Sequence, residues 1–174
     1  MISEILSHSI RFLVLMLIQV FILDHIDLAD GMAVPYLYVL FLLMLPFDIR
    51  HPTLMLIAFG TGLVMDMFSN TPGMHTSACV LLAFVRPYLL RSIAPRDGYE
   101  FGLTPQLQDM GLTWFLTYVG IMVFIHHLWL FYVEVYMLDR FFQTLLRVIF
   151  SSIFTVLICL LAQFLSFSPS RRRT

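Results

Sequence analysis

Residues 141–167 read FFQTLLRVIFSSIFTVLICLLAQFLSF, an apolar run with a single charged side chain, Arg147. At 1.5 Å per residue such a run, coiled as a helix, is longer than the roughly 30 Å hydrocarbon core of a bilayer. A helix apolar on all faces is either deeply buried or lipid-facing. The chain has only 174 residues, of which 60% are hydrophobic and 12% charged. Globular domains average about 45–50% apolar and about 25% charged residues. A chain this short cannot hide the excess in a soluble core, so the run reads as a membrane span.

Working outward, five more apolar runs precede it, at residues 9–23, 33–47, 53–68, 73–90 and 105–133. The expected fold is therefore an all-α membrane protein of six transmembrane helices in one integral domain, residues 1–174. The runs at 33–47 and 53–68 are short and reach only about 22–24 Å. They read either as two short spans with local bilayer thinning or as one re-entrant hairpin. Asp48, Arg50 and His51 join them, and charges at membrane depth are expensive, which favours two spans. The first run lacks an A-x-A-like exit, so no cleavable signal peptide is expected.

Every basic residue is Arg. Six spans put both termini on one side, with Arg11, Arg50, Arg86, Arg91, Arg96 and Arg171-Arg172-Arg173. Arg140, Arg147 and the acidic loop of Asp24, Asp27 and Asp30 fall on the other. The positive-inside rule makes the first side cytoplasmic. Asn70-Thr71-Pro72-Gly73 reads as a tight turn on the outer side. Thr104-Pro105 reads as an N-cap followed by Pro at the first position of the fifth helix. Trp114, Tyr118, Trp129, Tyr132 and Tyr136 read as interfacial aromatics.

The net charge of −1 gives no basis for nucleic-acid binding. The chain contains no P-loop, nucleophile elbow or zinc signature, so neither enzymatic activity nor a cofactor or metal site is expected. Cys79 and Cys159 lie in apolar runs and read as small buried hydrophobes. Gly60 and Gly62 remove bulk from the middle of a span, which suits close helix packing or a binding cleft. Asp66, at the outer end of that span, is an intramembrane carboxylate and a functional hypothesis in itself, unless it merely reaches the water interface. It sits at a helix C-terminus, where the dipole disfavours an anion, so a donor is expected, with Arg147 first and His75 next. His126, His127, Glu134 and Arg147 fall at similar depth, either as one shared polar cluster with Asp66 or as separate interfacial residues.

The order of these residues resembles the rod shape-determining protein MreD family over most of the chain. Gln19 is followed by Asp24-His25-Ile26, then Pro35-Tyr36-Leu37-Tyr38 and Leu45-Pro46. The pattern G-x-x-x-D and G-x-H falls on Gly62, Asp66, Gly73 and His75, and Ala83-Phe84-Val85-Arg86-Pro87 and His126-His127 extend it. Asp24 departs from the Asn expected there. The resemblance implies a non-enzymatic, multi-pass inner-membrane scaffold of the cell-wall elongation machinery that maintains rod shape. It would bind MreC directly, alongside MreB and the transglycosylase–transpeptidase pair. The family is distantly similar to substrate-binding components of energy-coupling-factor transporters, so the alternative reading is a subunit that binds a vitamin-like small molecule in its outer half. The short turn at Ser69–Pro72 offers no long loop to close over such a ligand.

Overall fold

The computed structural model describes residues 2–26, 31–100, 103–135 and 141–165, with side chains from residue 6 onward. Five long helices organise it: α1 (Ile2–Phe21), α2 (His51–Ser69), α3 (Met74–Ser92), α4 (Leu112–Val135) and α5 (Phe141–Leu165). No strand occurs among the described residues. Four stretches are long and apolar enough to cross a membrane: Leu6–His25, α2, α4 and α5. The fifth, α3, matches α2 in length but carries His75, Arg86, Pro87 and Arg91. Leu13, Leu17, Phe142, Leu157 and Leu161 on α1 and α5 are exposed, as lipid-facing positions require.

The helices α2, α3, α4 and α5 pack successively, each on the next. The α2–α3 hairpin is the tightest unit. Its turn places Asn70 at φ 54° and Gly73 at φ 82°, positive values that a side chain opposes and glycine accepts freely. Farther along, Gly62 lets the two backbones touch. A Cβ there would stand 2.7 Å from the His75 carbonyl oxygen and from the Thr76 nitrogen. The close packing expected of Gly62 is thus present. Gly60 differs: a Cβ there would meet nothing within 4 Å. Two positions apart on a helix, the glycines point about 200° apart, so they cannot both face α3.

The run at 33–47 is not a long membrane helix. Only Val39–Leu43 is helical, and Tyr38, Val39, Leu42, Leu43 and Met44 are wholly inaccessible. The segment lies beside His75 at Tyr38 and reaches Arg86 at Leu45. Those two α3 residues stand about 16 Å apart along the helix, so the segment threads the bundle lengthwise through its core. Uniform apolarity suits a lipid-facing helix and a fully buried segment equally, which is why the run reads as a span. α1 is held largely by this core segment, with Phe12 edge-on to Phe41 at 5.0 Å.

Two helix limits also differ from expectation. α1 begins at Ile2 rather than near Ser9, because its polar first turns are helical although not oily. α4 begins at Leu112, since Gly111 at φ 80° breaks it from a short turn at Leu107–Met110. Pro105 therefore does not open the long helix, and the Thr104 hydroxyl accepts from Gln106 Nε2 at 2.6 Å instead. Asp27, Asp30, Tyr136, Arg140 and the Arg171–Arg173 tail lie outside the described residues.

Candidate functional site

Irregular backbone at membrane depth survives only where protein replaces water as its hydrogen-bonding partner. Here polar side chains from four helices do so. Ser151 Oγ accepts from the Val34 N–H at 2.9 Å and Thr155 Oγ1 from the Tyr36 N–H at 3.0 Å. Gln19 is bidentate: Oε1 accepts from the Leu37 N–H at 2.6 Å while Nε2 donates to the Pro35 carbonyl at 3.1 Å. The same Nε2 reaches Asp24 Oδ1 at 2.7 Å. Tyr118 donates to the Leu43 carbonyl at 3.1 Å. Arg86 donates to the carbonyls of Leu45 and Pro46 and, through Nε, to Tyr118 Oη at 2.7 Å.

This corrects two expectations. Arg86 is 1% exposed and Tyr118 fully buried, so neither is a surface topology anchor or an interfacial aromatic. Both are clamps on the core segment. Charge counting misplaces Arg86 because its partners lie about forty residues away in sequence. Trp114 and Trp129 keep partly exposed positions, with Trp129 Nε1 donating to Ser77 Oγ at 3.0 Å.

Asp66 finds its donors across the turn rather than across the bundle. Oδ1 accepts from the His75 N–H at 2.9 Å and from Thr71 Oγ1 at 3.1 Å. Oδ2 accepts from the N–H groups of Gly73 and Thr76, each at 3.0 Å, and from Thr76 Oγ1 at 2.6 Å. The carboxylate belongs to the last turn of α2 but caps the first turn of α3, whose positive dipole end favours an anion. The expected pairing with Arg147 is therefore replaced. Arg147 pairs with Glu134 at 3.0 Å and lies over the Phe131 ring, 4.3 Å from its centroid.

Neither one shared cluster nor a set of separate interfacial residues describes these groups. Glu134 and Arg147 form a partly exposed pair on α4 and α5. His75 and His126 instead meet at Tyr38, whose hydroxyl lies 2.8 Å from His75 Nδ1 and 2.9 Å from His126 Nε2. One phenolic proton serves one imidazole, so the other imidazole must donate. His126 Nδ1 has no partner. The tautomer that leaves no buried orphan N–H has His126 donating through Nε2 and Tyr38 donating to His75. His127 sits beside this array, bonded through Nδ1 to the Val123 carbonyl at 2.8 Å and through Nε2 to Thr155 at 3.1 Å. Tyr38 is the hub that residue-by-residue reading misses. A Tyr in an apolar run gives no sign of two histidine partners distant in sequence.

Above this array, at the Asp66 end, opens a cavity of about 590 Å³ bordered by Asp24, Tyr36, Thr71, His75 and Glu134 among apolar neighbours such as Leu130. Tyr36 forms its aromatic floor, 5.1 Å from the His75 ring and 5.4 Å from that of His127. Cys79 and Cys159 are free and buried, as expected. Among the described residues no group of three metal-ligating side chains converges.

No family model, curated protein or solved structure matches the chain.

Proposed function

We propose that this chain is a non-enzymatic scaffold of the MreD kind, acting in the inner membrane within the cell-wall elongation machinery by binding MreC. One observation carries the reading. Several of the residues whose order resembles that family, scattered from Gln19 to His126, bond to one another. Gln19 holds Pro35 and Leu37, Tyr38 joins His75 to His126, Asp66 binds Gly73 and His75, and Arg86 grips Leu45 and Pro46. A pattern that builds one interior supports a shared fold more strongly than any single motif. Its groups are engaged in holding backbone, a use that suits a rigid scaffold.

The cavity above Tyr36 favours the second reading, a subunit that binds a small molecule. Co-purification from membranes that contain MreC, followed by mass spectrometry of the eluate, separates the two. The scaffold reading predicts MreC in stoichiometric amount. A stoichiometric small molecule without MreC would replace it with the second reading.

A further inference from the structure

The opposite end of the bundle from Asp66 carries a second cavity, of about 280 Å³. Its walls include His51, Arg86, Arg91, Pro87, Phe47 and Tyr99, and no lining residue is acidic. Asp48 lies between two lining residues in sequence but is exposed and not part of the wall. Phe47 and Tyr99 stack at 4.0 Å between centroids, forming an aromatic side to the cavity. Tyr99 is fixed in turn by donating to the Leu90 carbonyl at 2.8 Å, and burial pushes its phenol above the ordinary tyrosine value.

Arg86 is the unusual member. A guanidinium this deeply buried normally faces a carboxylate, because neutral acceptors offset only part of the desolvation of a charge. Arg86 instead has carbonyl oxygens and a phenol as its partners. Its charge is uncompensated and borders a cavity that a second arginine, Arg91, and His51 also border. The first turn of α2 begins at His51, and its dipole adds to the positive potential.

We propose that this cavity is a phosphate-binding site, taking either the headgroup phosphate of an anionic lipid or free inorganic phosphate. The guanidinium of Arg91 would bind the anion at the mouth, with Arg86 supplying charge from the floor. Arg86 and Arg91 lie on the last turns of α3, on either side of Pro87.

The test is native mass spectrometry of the full chain released from nanodiscs of phosphatidylglycerol or of phosphatidylcholine, with parallel thermal unfolding in detergent against inorganic phosphate. Retained phosphatidylglycerol without retained phosphatidylcholine supports the lipid source. Saturable stabilisation by inorganic phosphate supports the free anion. Arg91→Gln should weaken whichever probe binds by about fivefold, and His51→Gln should weaken it in the same direction. Both positions are exposed, so these variants fold even if Arg86→Gln does not. Arg96→Gln, an exposed arginine outside the cavity, should leave binding unchanged. The proposal is overturned if neither lipid selectivity nor phosphate stabilisation appears, or if Arg96→Gln weakens binding as much as Arg91→Gln.

Discussion

The Asp66 carboxylate and the His75 backbone N–H meet at 2.9 Å, tying the last turn of α2 to the first turn of α3. Together with the four other bonds Asp66 accepts, this makes the turn a closed unit. Asp66→Ala should therefore lower stability by about 2–3 kcal/mol, within the range for charged hydrogen bonds and orphaned donors. A double-mutant cycle in detergent with Arg147→Ala should be additive within about 0.5 kcal/mol. Glu134→Ala with Arg147→Ala should instead couple, by at most about 1 kcal/mol, since that pair is partly exposed. Coupling of Asp66 to Arg147 larger than that of Glu134 would contradict the capping account.

Gly62 and Gly60 should respond oppositely to the same change. Gly62→Ala forces a Cβ into the backbone of α3 and should cost about 1–3 kcal/mol as overpacking. Gly60→Ala has open space and should be neutral or stabilising by up to about 1 kcal/mol, the helix-propensity difference. Thermal unfolding of both variants in one detergent checks this, and equal losses would show that both glycines face a neighbour.

Four helices were legible because they are long and apolar enough to cross a membrane. The core segment was not, since a buried irregular stretch has the same composition as a span and differs only in what surrounds it. Its clue was the set of polar side chains in neighbouring helices: Gln19, Tyr118, Ser151 and Thr155 have no reason to be in lipid. They pair with backbone distant in sequence, so no local pattern links them. Asp66 was legible as a special carboxylate, and Thr71, Gly73 and Thr76 just beyond it were its available donors. Reading it as an anion at the wrong end of α2 overlooked that the tight turn brings the right end of α3 alongside.

Arg86 should tolerate no substitution that loses its fork. Arg86→Met leaves the carbonyls of Leu45 and Pro46 without their donor, at about 1–3 kcal/mol for each group left buried and unpaired, and removes the bond that the Tyr118 hydroxyl accepts. Arg86→Lys keeps the charge but cannot reach Tyr118 and both carbonyls in one plane, and should recover only part of the loss. Folded yield by size-exclusion profile orders the three proteins: wild type, then Lys, then Met. A Met variant as stable as the wild type would mean the core segment does not depend on this clamp.

Orientation is testable at the two ends of α3. With Arg86 removed from the surface count, Arg11, Arg50, Arg91 and Arg96 still bias one end toward the cytoplasm. Pro72→Cys should react with a membrane-impermeant maleimide in intact cells, and Asp97→Cys should not. Both positions are exposed, whereas the native Cys79 and Cys159 are buried. The reverse labelling pattern would invert the orientation.

The central claim, a scaffold that holds MreC, is tested most directly by titrating purified, fluorescently labelled MreC onto the chain in nanodiscs. The account predicts saturable binding to the wild-type protein. It also predicts loss of that binding in Arg86→Met, whose disrupted core can no longer hold the helices in register. Absence of saturable binding to a wild-type chain with a cooperative unfolding transition would contradict the account.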